Sequence, residues 1–259
     1  MNTRPDWKFA NTGAGPERGR KTGILLLTGA WFAVLNLLVA AAAPLGRMYM
    51  DYPTMPSFTV FACCVLLGVL LAAESILLML IIAIRRIPGM WKRSLVMLVF
   101  GIMPLTCIVF ILGPDRIRSP AIHDITTDTE DPPVFSEVKK LRSRDDNPLD
   151  YGGEPVAELQ QRAYPGIKPI VEGMSREEAL SRVVQVVLGL NWKLINADFN
   201  TGIVEASDTT KVFGFTDDIV IRVRDAGSGS VIDIRSVSRV GMGDAGANAA
   251  RIREFIAAF

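Results

Sequence analysis

Three long apolar stretches dominate the first 112 residues. They span residues 23–45, 58–84 and 94–112, and Glu74 is the only charged residue within them. An α-helix rises about 1.5 Å per residue, so about 20 residues cross the hydrocarbon core of a bilayer. The pattern predicts three transmembrane helices surrounded by lipid. Ala41–Ala43 resembles a signal-peptide cleavage site, but the first stretch is longer than the apolar region of a signal peptide, which favours an anchor.

The distribution of Lys and Arg around these stretches predicts their orientation. Five basic residues precede the first stretch, four lie between the second and third, and only Arg47 lies between the first and second. Because basic loops stay in the cytoplasm, the N-terminus should be cytoplasmic and everything after Leu112 should lie outside. We expect a multi-pass membrane protein with its C-terminal domain on the side opposite the cytoplasm.

The pattern changes after the third stretch. Residues 113–169 are rich in proline and charge and lack hydrophobic periodicity, which predicts a mostly extended linker. Some of its apolar side chains, such as Phe135, Leu149, Tyr151 and Tyr164, offer anchors along a domain surface. The division expected is therefore residues 1–112 for the membrane part, 113–169 for the linker and 170–259 for a domain.

The last 90 residues have the pattern of a small α+β domain. Ser175 and Glu178 have the spacing of a capping box, and apolar positions at helical spacing follow as far as Gly189. Alternating residues and turn signals then predict four strands, at 192–199, 203–207, 218–224 and 231–240. Residues 245–258 should form a final helix with Asp244 as its N-cap. Because hairpin-length turns join the strands, we expect a four-stranded antiparallel sheet with helices on one face.

Composition narrows the classes of function. Residues 113–259 carry 18 Lys and Arg against 23 Asp and Glu. This acidic balance argues against a nucleic-acid partner, which requires dense positive charge. All three cysteines lie in apolar stretches, and the only histidine, His123, lies in the linker. The sequence therefore predicts no metal site, no cofactor and no catalytic constellation, although an enzyme that works without histidine stays an alternative.

The strongest candidate chemistry lies on the last two strands. At a period of two, Arg222 shares one sheet face with Arg235 and Arg239, interleaved with aspartates. One interpretation is a solvated face with cross-strand ion pairs. The other is a surface where these arginines bind a carboxylate, a phosphate or an acidic partner, since a guanidinium binds such groups through two hydrogen bonds.

Two further features carry candidate sites. The turn containing Gly241, Gly243 and Asp244 precedes the last helix, where backbone amides can face an anion, and Asn248 follows it. The pattern GxGxxG occurs here, but the acidic residue and later parallel strand of a dinucleotide fold do not. Within the membrane, Glu74 is a functional candidate because an ionisable group in lipid is unfavourable. We expect it to bond another span, for example through Asn36, Thr106 or the carbonyl of Phe100.

The C-terminal half resembles a known family. The residues that carry the resemblance are the segment Phe213–Asp218, Arg222, the segment Asp233–Gly241 and the segment Asp244–Ile252. The strings His123–Asp128 and Ala163–Pro165 are also similar to membrane-anchored members, although Gly166 replaces an aspartate. The family is the domain of unknown function 1499. The resemblance implies that the polar strand and its glycine turn form a family feature, and it implies no activity.

Taken together, the sequence predicts an inner-membrane protein whose periplasmic domain binds a partner protein or an anionic envelope component. The candidate contacts are Arg222, Arg235, Arg239, Gly241, Gly243, Asp244 and Asn248. A first alternative is an enzyme acting on cell-wall or lipid substrates through Asp217, Asp218 or Asp233. A second is a subunit of a membrane complex that acts through its spans around Glu74.

Overall fold

The computed structural model describes residues 15–86 and 90–259. The chain divides into two compact units, one up to Ile108 and the other from Val109. Each unit is described by itself below.

Three helices make up the first unit. They are α1 (Gly15–Met50), α2 (Thr54–Arg85) and α3 (Trp91–Ile117), with a break in α3 at Gly113, where φ is 75°. Segments Leu27–Met50, Thr54–Arg85 and Trp91–Phe110 are long and apolar enough to cross a membrane. The three helices predicted from the sequence are thus confirmed, and together they are compatible with membrane anchoring.

Small and polar side chains bring these helices together. A Cβ atom added at Gly68 of α2 would lie 2.3 Å from the carbonyl oxygen of Gly101 on α3. Only glycine permits such a close approach, as is usual between membrane helices. The buried Asn36 donates a hydrogen bond to the carbonyl of Cys64 (2.9 Å), and the buried Ser75 donates to the carbonyl of Ser94. These contacts satisfy polar groups that lipid cannot.

The second unit is built on an antiparallel sheet. Its four long strands are β3 (Lys193–Asp198), β4 (Ile203–Thr209), β5 (Thr216–Asp225) and β6 (Ser230–Ser238), in the order predicted. Alternation along β5 and β6 turns Ile219, Ile221, Ile232 and Ile234 to one face, where all four are fully buried. Helices α5 (Arg176–Gly189) and α6 (Ala247–Ala258) cover that face. The capping box at Ser175 and Glu178 is present as predicted.

The sheet has six strands, so the prediction of four was wrong. The added strands are β1 (Asp124–Thr126) and β2 (Ile170–Glu172), which pair with the two halves of the same edge of β6. A helix, α4 (Glu154–Ala163), lies between them in the chain. The side chain of Gln160 exchanges two hydrogen bonds with the backbone of Thr126, at 2.9 and 2.7 Å, and so occupies the outer edge of β1. Part of the expected linker therefore belongs to the sheet.

Residues 127–151, called here the covering segment, lie over the second face of the sheet. Phe135 and Val138 are buried there against Val220 and Val237. The buried carboxylate of Glu205 accepts the amides of Ser136 and Glu137 at 2.6 and 2.7 Å, at the start of a short 3₁₀ helix (Val138–Leu141). The face that carries the candidate arginines is consequently covered over much of its area.

Candidate functional site

Arg235 lies beneath the covering segment and is 2% exposed. Its guanidinium donates to both carboxylate oxygens of Asp124, at 2.9 and 2.7 Å, and to the carbonyls of Pro133 and Leu149. The rings of Phe135 and Tyr151 lie 5.5 Å from it. This buried arginine makes four hydrogen bonds that hold the covering segment and β1 on the sheet, and its burial keeps it from an external anion.

Arg222 forms a network of ion pairs close to the surface. It bonds Asp233 at 3.1 Å, Asp131 at 2.9 Å and Asp128 at 3.3 Å, and its own side chain is 16% exposed. Arg224 joins the same group through Asp233 and Asp128. With three carboxylates around two arginines, this network has a negative balance and is not suited to bind a further anion.

Of the three predicted arginines, Arg239 has the most exposed side chain. Its Nε and one Nη donate to the two oxygens of Asp218 at 2.9 Å each, while its side chain is 22% exposed. Arg142 of the covering segment donates to the same carboxylate at 2.7 Å, and Ser207 does so at 2.6 Å. Burial raises the pKa of Asp218, but these hydrogen bonds outweigh burial and leave that pKa below its ordinary value. The bond to Asp218 raises the pKa of Arg239.

A cleft of about 250 Å³ opens beside Arg239. It lies at the end of the sheet where β4 ends and β5 begins, and its other lining residues are Leu141, Lys193, Ile195, Ser207, Thr209 and Thr216. Pockets for drug-sized ligands measure about 300–1,000 Å³. This cleft therefore has room for the charged end of a ligand and not for a whole large molecule.

The cleft has a positive balance. Arg142, Arg239 and Lys193 supply three positive charges, against Asp218 and the nearby Asp146. Lys193 is exposed, and neither its ammonium nor the second Nη of Arg239 has a partner within residues 15–86 and 90–259. The hydroxyls of Thr209 and Thr216 lie 3.1 Å apart at the same end of the sheet. Cationic groups with unused donors, beside neutral hydroxyls, are the groups with which a carboxylate or a phosphate forms charge-assisted hydrogen bonds.

The glycine turn does not offer its amides as expected. Asp244 lies three residues before α6, whose N-cap is Gly246, so the prediction of Asp244 as the N-cap was wrong. Its carboxylate accepts the amides of Gly246 and Asn248, at 2.8 and 2.7 Å, and burial raises its pKa. The carbonyl of Gly241 accepts from Asn147, and a Cβ at Gly243 would lie 3.0 Å from Ala121. The turn therefore packs against the preceding chain.

Asn248 belongs to a buried polar cluster on the helix side of the sheet. Its oxygen accepts from Ser236 and Arg251, and its amide donates to the carbonyl of His123 and the hydroxyl of Ser238. Arg251 in turn pairs with Asp217 at 2.7 Å. Every hydrogen-bonding atom of the Asn248 side chain is used within the fold, so its role there is to join α6 to β6.

In the first unit the two polar candidates differ. Asn36 is buried and bonded to Cys64, as described above. Glu74 is exposed on α2, and within the described part of the chain it has no hydrogen bond or ion pair. Thr106 donates to the carbonyl of Met103 in its own helix. Among the described residues, Glu74 therefore makes none of the expected bonds to Asn36, Thr106 or the carbonyl of Phe100.

The three acids of the enzyme alternative are all paired with arginine. Asp217 bonds Arg251, Asp218 bonds Arg142 and Arg239, and Asp233 bonds Arg222. A general acid needs a raised pKa, whereas that of Asp218 is lowered. Among the described residues, no group of three His, Cys, Asp or Glu is placed to hold a metal ion.

Sequence reasoning missed several members of these clusters. Asp124 and Arg142 come from the segment expected to be a linker, and both bond arginines or acids of the sheet. Lys193 is detectable from the sequence, because alternation along its strand puts it on the face of Ile195, opposite Leu194. What the sequence lacks is a signal that β3 brings this lysine close to Arg239.

Three apolar helices followed by a six-stranded antiparallel sheet, with helices on one face, define an α+β protein compatible with membrane anchoring. The family model described as "Protein of unknown function (DUF1499)" matches residues 124–259, which is just over half of the chain. The chain belongs to this family, and the match begins at the first residue of β1. No curated protein matches the chain.

Proposed function

We propose that this protein is anchored in the bacterial inner membrane by its three helices and presents its C-terminal domain to the periplasm. There the domain binds an anionic group carried by a partner protein or by an envelope component. The binding site is the cleft lined by Arg239, Lys193 and the neighbouring hydroxyls. The observation that carries the proposal is the pair of accessible cations with unused donors in one small cleft.

The geometry of Asp218 supports a binding role over a catalytic one. Arg142 holds this carboxylate from the covered side, and Ser207 and Arg239, which both line the cleft, hold it from the cleft. Asp218 thereby fixes the orientation of Arg239, so little side-chain entropy is lost when an anion binds its remaining Nη. Leu141 and Ile195 supply an apolar wall for the uncharged part of a ligand.

The periplasmic location rests on the distribution of basic residues around the spans. Lys and Arg are concentrated before the first apolar stretch (23–45) and between the second and third (58–84 and 94–112). The positive-inside rule then places the chain after α3 on the opposite side from the N-terminus. A reporter enzyme active only in the periplasm, fused after Phe259, should be active, and activity of a cytoplasmic reporter there would contradict this orientation.

Photo-crosslinking in living bacteria tests the binding site even though the ligand is unidentified. A photoreactive amino acid replaces Leu141, which is 51% exposed on the cleft wall, in the full-length protein. The matched position is the exposed Lys168, away from the cleft. We expect adducts from position 141 and few from position 168, and mass spectrometry then identifies what has bound.

The substitutions Lys193→Ala and Arg239→Gln test the cations directly. A hydrogen bond to a charged group contributes about 1.5–3 kcal/mol, so adduct yield at limiting ligand should fall about tenfold or more. Asp218 retains Arg142 after either change, so the fold should persist. Lys168→Ala is the matched control and should change nothing. Equal adduct yields at positions 141 and 168, or yields unaffected by both cleft substitutions, would refute the proposed site.

A further inference from the structure

Glu74 lies in the middle of α2, on a side of the helix that no described residue covers. It is eleven residues from Arg85 at the end of α2, about 16 Å at 1.5 Å per residue, and half of a hydrocarbon core is about 15 Å. The buried stripe of α2 consists of Ser57, Phe61, Cys64, Gly68, Ala72, Ser75 and Ile82. Glu74 does not belong to it and is exposed. An ionisable side chain at this depth requires a partner other than lipid.

The neighbours of Glu74 form a second stripe with a defined spacing. It consists of Cys63, Leu67, Leu70, Glu74, Leu77 and Ile81, called here the α2 seam, and these positions are separated alternately by four and three residues. This is the a/d spacing of a coiled-coil contact. Leu67, Leu70 and Leu77 are between 46% and 67% exposed, and only Ile81 is partly covered. The helix thus carries one stripe buried within the chain and another that is open.

We propose that the α2 seam binds the α2 seam of a second copy of this chain. Two copies inserted by the same rules have α2 in the same direction, so a two-fold axis along the membrane normal brings identical residues to the same level. Glu74 then faces Glu74. A protonated carboxyl group both donates and accepts, so two such groups satisfy each other without a second kind of side chain. This self-complementarity selects a second copy as the occupant.

Two adjacent native cysteines of α2 allow this arrangement to be tested by disulfide crosslinking. Cys63 lies on the seam and is exposed, whereas the adjacent Cys64 lies on the buried stripe. The two cysteines are at nearly the same depth and point to different sides of α2. Identical residues of a seam can reach the Cα separation of about 4.4–6.8 Å that a disulfide needs. Residues of the buried stripe cannot, because the other helices of their own chain cover them.

The test uses the full-length protein with single cysteines, in membranes treated with a copper–phenanthroline oxidant. One version keeps Cys63 through Cys64→Ala and Cys107→Ala, and the matched version keeps Cys64 through Cys63→Ala and Cys107→Ala. We expect a reducible band of twice the monomer mass from the Cys63 version and only background from the Cys64 version. Equal yields from the two versions, or no crosslink from either, would overturn the proposal.

Substitution of Glu74 in the Cys63 version tests whether Glu74 itself stabilises the contact between the two copies. Glu74→Ala should weaken self-association about tenfold, the order expected when a hydrogen bond between membrane helices is lost. Glu74→Gln should keep most of the crosslink, because an amide also donates and accepts. Ile76→Ala is the control, since Ile76 is exposed outside the seam. An Ala variant that crosslinks as well as the parent, or a loss equal to that of the Ile76 control, would overturn the assignment of Glu74.

Discussion

Replacing Arg235 by alanine should destabilise the C-terminal unit strongly, although the sequence makes this residue look like a surface contact. The guanidinium is 2% exposed and donates two hydrogen bonds to Asp124 and two to backbone carbonyls. Removing it leaves the carboxylate of Asp124, which is 5% exposed, without its counter-charge. It also removes the group packed between Phe135 and Tyr151.

The magnitude follows from the burial of this ion pair. Breaking a buried pair by removing one partner lowers the free energy of unfolding by about 3–5 kcal/mol. With a urea dependence of about 2 kcal/mol per molar, the unfolding midpoint should fall by about 2 M. The matched control is Arg224→Ala, because that side chain is 44% exposed. Its partner Asp233 is buried but keeps Arg222 after the change, so the loss should be about 0–1 kcal/mol and the control midpoint should move by less than about 0.5 M.

Pulse proteolysis at increasing urea measures this midpoint in the full-length protein, because cleavage reports the unfolded fraction. Adding Asp124→Ala to Arg235→Ala should recover part of the loss, since the stranded carboxylate is then gone. An Arg235→Ala midpoint within about 0.5 M of the Arg224→Ala midpoint would refute the reasoning, because the two losses would then differ by about 1 kcal/mol or less. A double variant less stable than Arg235→Ala would refute the part assigned to Asp124.

Three further predictions concern the helices and the pH dependence. Gly68→Ala should lower the thermal stability of the detergent-solubilised protein, because the added Cβ would lie 2.3 Å from the carbonyl oxygen of Gly101. The control Gly46→Ala should have little effect, because the nearest atom to its added Cβ is 3.8 Å away. Burial raises the pKa of Tyr151 from 10.0 to about 12, so its contribution to stability is present below pH 10 and is lost as pH rises toward 12. Tyr151→Phe should lack that alkaline loss of stability. Because the buried hydroxyl has no partner among the described residues, the variant should be no less stable than the parent at pH 7. The pKa of Asp218 is lowered in the fold, so the stability that its carboxylate contributes is present above pH 3.8 and is lost as the pH falls through the pKa of the folded state. Asp218→Asn should therefore be less stable than the parent at pH 7. In urea titrations this difference in stability should shrink below pH 3.8.

Periodicity explains why the helices and the four long strands were predictable. The apolar stretches exceed the length that a bilayer requires, and strands of six to ten residues contain several repeats of the inward and outward alternation. The capping box at Ser175 marked the beginning of α5 from local chemistry alone. In these places local pattern and tertiary structure agree.

The two added strands could not be predicted for the same reason. β1 and β2 have three residues each, too few to show a period of two. Their pairing depends on the free edge of β6 and, for β1, on the side-chain amide of Gln160. The covering segment is fixed by single long-range contacts, such as the carboxylate of Glu205, between positions almost 70 residues apart. Contacts of that kind leave no local pattern in the sequence.

For the candidate arginines, the alternation along β6 predicts which face of the sheet they share but not whether that face is covered. A period of two correctly puts Arg235 and Arg239 on the same side of β6, but it contains no information about what lies over that side. The covering segment buries Arg235, whereas Arg239 follows the end of β6 and opens to the cleft. Changing both arginines together would therefore combine loss of the fold with loss of binding. Arg239 and Lys193 test the proposed site, and Arg235 tests the structure that holds the covering segment beside it.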